Sequence, residues 1–316
     1  MTQPTNTFDA FDMIGIKEDL EDIIYDISPT ATPFMTAAGR VKCKQVLHEW
    51  QTDVLGAASA TNHVIEGDDA TTDAQVATIR VSNRCNISDK VIVVSGTARS
   101  VDSAGRGDEL DYLIAKNGKE LKRDMESLLT SNNASVTGNA TTARELGGYE
   151  SWIEANESRG AGGSDGGFSS GNTVAATDGT QRAFTEAQLK EVIRECFESG
   201  AEPKTVMVGS FNKQVMSTFT GNATRQVDAK GEKLFAAIDI YKSDFGTLKI
   251  VPNRFSRSRS ALIIDPEYTK VGYLRPFQTH KLAKTGDSDR VQLLAEYTLV
   301  IGNEAALGVV ADLTTS

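Results

Sequence analysis

Residues 102–131 read DSAGRGDELDYLIAKNGKELKRDMESLLTS, and the fold turns on this stretch being one long amphipathic helix. Leu110, Leu113, Ile114, Leu121, Met125, Leu128 and Leu129 recur at helical spacing, with Asn117 and Gly118 filling the missing turn on the same face. The opposite face is Asp, Glu, Lys and Arg. Asp108, with Asp111 three residues on, suits a helix start, and Ser131-Asn132-Asn133 suits a stop. A helix of about 24 residues spans roughly 36 Å, the width of a small domain. On pattern alone it is the core helix of an ordinary globular domain, and its meaning comes from what flanks it.

Upstream, residues 1–39 read as an arm. Leu20, Ile23, Ile24 and Ile27 make a short stripe that Ser28-Pro29 ends, and Ala31-Thr32-Pro33-Phe34 is expected to be extended. So narrow a stripe needs another surface to bury it. Residues 40–95 read as a long two-stranded excursion. Ala77, Ile79, Val81, Cys85 and Ile87 alternate with polar residues through Ser88, opposite a limb from Val41 to Val54 that carries Trp50. Between the limbs lies Gly56 to Thr72, with Glu66-Gly67-Asp68-Asp69 as a turn signal. Such a hairpin has too little core of its own and should lie across something else. Val91 to Val94 then leads through Ser95-Gly96-Thr97 to the helix.

Downstream, the Gly-rich segment 160–172 is expected to be an exposed flexible flap. Thr185 and Gln188 form a capping box ahead of the stripe Leu189, Val192, Ile193, Cys196 and Phe197, and Gly200 and Pro203 end that helix. Thr205 to Val208 is a short buried strand, and Ser210 to Phe219 a second helix with Phe211, Val215, Met216 and Phe219 inward. Ile238 to Tyr241 and Thr247 to Val251 flank the turn Ser243-Asp244-Phe245-Gly246. The return is strand-rich: Ala261 to Ile264, Tyr268 to Tyr273, Thr279 to Ala283, Val291 to Ile301 and Leu307 to Val310. This mixed order is not a repeating βαβ array, which argues against a doubly wound sheet.

The 316 residues suffice for two or three packed units, with 39% hydrophobic and 24% charged residues, ordinary for a soluble protein. Asp plus Glu is 43 against 33 for Lys plus Arg, a net charge of −10, which argues against a dedicated nucleic-acid binder. Cys43, Cys85 and Cys196 are far apart in sequence and imply neither a disulfide framework nor a zinc site. No run approaches 18 apolar residues, so no membrane span is expected, and the N-terminus lacks the pattern of an export signal.

The catalytic look-alikes fail on context. Asp244-Phe245-Gly246 lacks the other kinase elements and reads as a hairpin turn. Ser210-Phe211-Asn212-Lys213 with Lys284-Thr285-Gly286 lacks the middle element of the penicillin-binding signatures, which leaves a cytoplasmic serine hydrolase on Ser210 and Lys213 as a remote alternative. The stretch 160–172 lacks the lysine of a phosphate loop, though it would also serve a partner-binding module. His48, His63 and His280 have no ligand-spaced partners, so no catalytic, cofactor or metal residues are expected. Arg254-Phe255-Ser256-Arg257-Ser258-Arg259 is either a solvated loop or a contact for acidic neighbours or nucleic acid.

Arm, long hairpin, long helix, α/β lobe and strand-rich return, in that order, resemble the major capsid proteins of tailed bacteriophages, with the α+β Hong Kong 97 fold. Local words carry the likeness: Ile27-Ser28-Pro29-Thr30-Ala31-Thr32-Pro33-Phe34, His48-Glu49-Trp50-Gln51-Thr52-Asp53, Val94-Ser95-Gly96-Thr97 and Tyr241-Lys242-Ser243-Asp244-Phe245-Gly246-Thr247. Leu274-Arg275-Pro276, Leu282-Ala283-Lys284-Thr285-Gly286-Asp287 and Asn303-Glu304 continue it. The resemblance implies an N-arm at 1–39, an extended hairpin loop at 40–95 and a peripheral domain with the spine helix at 96–142. An axial α/β domain would follow at 143–245, peripheral-domain strands at 246–304 and a return to the axial domain at 305–316. It further implies a non-enzymatic subunit, assembled in the host cytoplasm into hexamers and pentamers of an icosahedral virion shell. The shell would enclose double-stranded DNA without reading its sequence. A portal and a separate scaffolding protein are the implied partners, with a decoration protein as an optional one. An encapsulin-like compartment shell is the alternative on the same fold. Lys42, Lys44 and Asn303 are present, but no motif carries over the Lys–Asn cross-link of some members.

Overall fold

The computed structural model describes residues 30–69, 72, 74–101, 107–219 and 239–316. The arm stripe Leu20, Ile23, Ile24 and Ile27, the Ser28-Pro29 stop and Ile238 lie outside the described residues. The end of the arm is a helix, α1 (Pro33–Ala37), where an extended segment was expected. Proline explains the difference, because its φ already suits a helix and its missing N–H falls where a first turn has no partner. After β1 (Gly39–Lys42), β2 (Leu47–Thr52) and β3 (Ile79–Arg84) pair antiparallel from Leu47↔Arg84 to Thr52↔Ile79. The strand pattern through Ser88 does not stay in that ribbon. It breaks at Cys85, and β4 (Asn86–Ser95) joins another sheet.

Helix α2 (Gly96–Ser100) precedes the long helix α3 (Glu109–Leu129). Asp108 caps α3, its carboxylate accepting the Leu110 N–H at 2.9 Å. The 21 residues of α3 span roughly 32 Å. Leu110, Leu121, Met125 and Leu129 are buried, and Leu113, Ile114 and Leu128 pack at the edge of the same core. The next elements are β5 (Glu157–Ser158), the ribbon β6 (Gly167–Ser169) with β7 (Asn172–Val174), and α4 (Glu186–Glu198). The ribbon corrects the flexible flap: Phe168 stacks on Trp152 at 5.5 Å, and the Gly160 N–H donates to Asp312 at 3.0 Å. Both capping-box bonds of Thr185 and Gln188 are made. Phe197 is not inward; it is 48% exposed and stacks on Phe245 at 4.8 Å.

The chain continues through β8 (Thr205–Val208), α5 (Ser210–Met216), β9 (Ile240–Ser243) and β10 (Gly246–Pro252). Then come β11 (Ala261–Ile264), β12 (Thr269–Lys281), β13 (Ser288–Ile301) and β14 (Gly308–Val310). The two strands expected at 268–273 and 279–283 are one. Its register against β13 shifts around Arg275 to Gln278, where Pro276 has no N–H for the ladder.

Two larger sheets result. One is four-stranded, β1-β12-β13-β4, with α3 against its β4–β13 side. The other is six-stranded and mixed, β5-β14-β11-β8-β10-β9. Strand period divides the six-stranded sheet between two cores. Met207, Leu262, Ile264 and Val309 face the core shared with α3, while Val206, Val208, Ile263 and Val310 face α4. With both faces covered, these strands read as unbroken apolar runs.

Candidate assembly surfaces

The hairpin root is rigidly built. Asn83 is fully buried and satisfied: its amide donates to the carbonyls of Gly147 at 3.1 Å and Leu299 at 2.8 Å, and its oxygen accepts from the N–H groups of Gly147 and Arg84, each at 2.9 Å. Glu296, on β13, is paired with Arg144 and accepts from Arg275 Nε at 2.6 Å. Arg144 Nε in turn donates to the Cys85 carbonyl at 2.6 Å. An aromatic ladder runs from the β2 limb to the β6–β7 ribbon, His48–Trp50 at 5.8 Å, Trp50–Trp152 at 5.4 Å, then Trp152–Phe168.

Beyond this root the hairpin has no cover among the described residues. Leu55 is 92% exposed, Val64 86% and Val76 88%, and Val54, Ile65 and Ile79 are exposed with them. On the four-stranded sheet, Ile87, Val91 and Val93 face outward from the edge strand β4, while Ile92 and Val94 face the core. So much exposed apolar surface marks a contact surface.

Glu126 ties the arm to the body. It sits on the buried face of α3, and its two oxygens accept the Phe34 N–H at 2.6 Å and the Met35 N–H at 2.9 Å. These are first-turn donors of α1, which has no side-chain cap of its own. Asn253, at the end of β10, donates to the same carboxylate at 2.8 Å. Burial pushes the Glu126 carboxyl above its ordinary range, and the three donors counteract this. Sequence reasoning passed over Glu126; the signal was a carboxylate on the apolar stripe beside Met125.

Two arginines of the cluster, Arg257 and Arg259, point inward, to acidic residues of their own chain. Arg257 reaches Glu150 at 2.7 Å and Asp178 at 2.6 Å, and Arg259 reaches Asp312 at 2.6 Å. Glu150 and Asp312 are fully buried. Arg257 and Arg259 are therefore engaged within the chain, while Arg254 is exposed. The Lys213 ammonium lies 3.0 Å from Asp239 and 3.4 Å from the Ile250 carbonyl, while Ser210 is exposed at the start of α5. Asn303 caps a short 3-10 turn by accepting the Ala305 N–H at 3.2 Å. Lys42 and Lys44 are exposed. Among the described residues no helix is long and apolar enough to cross a membrane.

The same architecture recurs in solved shells. The capsid asymmetric unit of Cyanophage A-1(L) superposes with a TM-score of 0.66 at 13% identity, covering 95% of this chain and 98% of that one. Gordonia phage Cozz gives a TM-score of 0.62 at 10% identity over 99% and 98%. The holo-SrpI encapsulin complex of Synechococcus elongatus PCC 7942 gives 0.54 at 10% over 93% of each chain. The fold is that of Hong Kong 97-type shell proteins. The model of the SU10 major capsid protein family matches residues 2–314, and the chain belongs to that family. The major capsid protein of Escherichia phage Phieco32 is 26% identical over 345 residues, 98% of this chain and 97% of that protein. The chain is a phage major capsid protein, a structural component of the virion shell.

Proposed function

We propose that the subunit assembles in the host cytoplasm into hexamers and pentamers that close an icosahedral shell around double-stranded DNA, and that it performs no catalysis. The uncovered apolar tip of the hairpin carries this reading. Among the described residues nothing covers its side chains, and a neighbouring subunit would give them a dry environment. In this reading residues 1–39 are the arm and 40–95 the extended loop. Residues 96–142 hold the spine helix, 143–245 most of the axial domain, 246–304 the peripheral strands and 305–316 the axial return. Rings arise from a heterologous contact whose rotation closes. A net charge of −10 and arginines consumed within the chain favour DNA held without sequence readout. A portal and a separate scaffolding protein complete the assembly, with a decoration protein as an optional addition.

The test is electron microscopy with sedimentation velocity on the recombinant protein, alone and with the neighbouring phage genes. Shells or five- and six-fold rings are expected. A strict monomer at high concentration in both settings would sink the reading, and protein cargo in place of nucleic acid would move it to a compartment shell.

A further inference from the structure

The arm enters the body beside Glu126, because the N–H groups this carboxylate accepts belong to the first turn of α1, and Thr30 and Ala31 just ahead of it are exposed. Counting back from Glu126 along α3 in steps of three or four gives Lys122, Lys119, Ala115 with Lys116, and Tyr112, all on one side of the helix. Lys116, Lys119 and Lys122 are exposed, and so is Ala115 among them. Among the described residues these three lysines enter no ion pair, whereas Asp124 on the same helix is held by Lys90 at 2.8 Å. The Lys122 ammonium lies 5.8 Å from the ring centre of Phe277, itself 40% exposed, so apolar surface borders the basic lane. The lane thus begins where the arm arrives. The arm carries the complement: residues 17–27 read KEDLEDIIYDI, with Glu18, Asp19, Glu21, Asp22 and Asp26 against Lys17, around the stripe Leu20, Ile23, Ile24 and Ile27. Residues 28–32 separate the stripe from α1 and reach at most about 18 Å. From Glu126 back to Lys116 is about 15 Å of helix. At the helical spacing its sequence predicts, Asp19 and Asp26 are about 10 Å apart along the axis, close to the ~9 Å between Lys116 and Lys122.

We propose that in the unassembled subunit residues 18–27 dock on their own chain, along the Lys116–Lys119–Lys122 side of α3. The arm's carboxylates meet the three ammonium groups, and its apolar stripe lies on Ala115 and the lysine stems. This rests on reading residues 1–39 as an arm and names the seat that arm takes before assembly. Each exposed ion pair contributes little by itself. The tether supplies what the pairs lack, since a segment anchored a few residues away is present at an effective concentration on the order of millimolar. The hairpin tip is acidic as well, with Asp53, Glu66, Asp68, Asp69 and Asp73 and no Lys or Arg from 53 to 79, but no such tether places it beside the lane. Docked in this way, the arm keeps four apolar side chains from water and from premature contacts until a neighbouring subunit arrives.

Heavy-isotope and unlabelled copies of the full chain are mixed at a dilution where sedimentation velocity shows monomers, then treated with a carbodiimide that joins carboxylates to amines without a spacer, digested and mapped. Expected are linked peptides from residues 18–26 to Lys116, Lys119 or Lys122, each of a single isotope, and their loss in about 1 M salt, where the screening length is ~3 Å. Lys116→Glu with Lys119→Glu and Lys122→Glu should abolish the links and leave the circular dichroism unchanged. Adding Asp19→Lys, Asp22→Lys and Asp26→Lys should restore them with the amine now on the arm. If the reversed helix fails to fold, the map and salt dependence of the parent decide. Arm links spread evenly over other exposed lysines, such as Lys44 and Lys270, overturn the proposal. So do links found only between isotopes, links to the lane from Glu66, Asp68 or Asp69 in place of the arm, or no links. Electron microscopy scores assembly separately: shells without these links refute the docking alone, and links without shells refute the assembly reading alone.

Discussion

At the residue scale, Glu126 lets an arm end inside a core. Its carboxylate replaces the cap that α1 lacks, at the cost of burying a charge. Glu126→Ala would orphan two buried N–H groups and the Asn253 amide, costing roughly 2–3 kcal/mol in urea unfolding. A loss below about 0.5 kcal/mol would refute the capping role. Glu157 is the second carboxylate of note. Burial, then its hydrogen bond with Asp165, pushes it up to about 8, and Arg159 only partly offsets this. A folded value above the unfolded one stabilises fully below about pH 4.5, and that contribution is lost as pH rises through about 8. Glu157→Gln should therefore flatten the fall of Tm between pH 5 and 8. Parallel curves for variant and parent would contradict the assignment.

At the element scale, the hairpin is a rigid root carrying an unfinished tip. The root is held by Asn83, Glu296 and the Trp50–Trp152–Phe168 ladder. Trp152→Ala should cost about 3–5 kcal/mol, because it empties a buried site between Trp50 and Phe168. The tip should behave oppositely. Leu55→Ser with Val64→Ser and Ile65→Ser removes side chains that touch no core, so the unfolding midpoint of the isolated subunit should stay within about 0.5 kcal/mol of the parent. Shell yield by electron microscopy should collapse. Normal shells from the triple variant would remove the tip from the interface.

At the scale of the whole molecule, two cores share one sheet, and among the described residues the apolar side chains of the hairpin beyond its root stay exposed. Deleting residues 1–27 keeps Glu126 and its partners Phe34 and Met35. The truncated chain should remain folded by circular dichroism yet close shells poorly, and full-yield shells from it would count against the arm's role. The internal use of Arg257 and Arg259 has a consequence at this scale too. Their replacement by Lys should lower Tm before it changes the nucleic-acid content of shells, because their acceptors are buried carboxylates.

Much of the fold was legible because periodicity is local. The stripe of α3, the capping box of α4 and the apolar runs of β8 and β11 are written in neighbouring residues. Family membership was equally legible, since several words in fixed order survive along the chain. The break at Cys85, the fusion of two expected strands into β12 and the inward turn of the arginines were not, because each depends on a partner far away in sequence. The same holds for Glu126 beneath α1. By itself the sequence determined the long helix, the capped helix and the apolar strands of the sheet, because their patterns lie in neighbouring residues. Only the tertiary structure decided which buried polar groups meet, because that choice is made by desolvation: each must find a partner once water is gone.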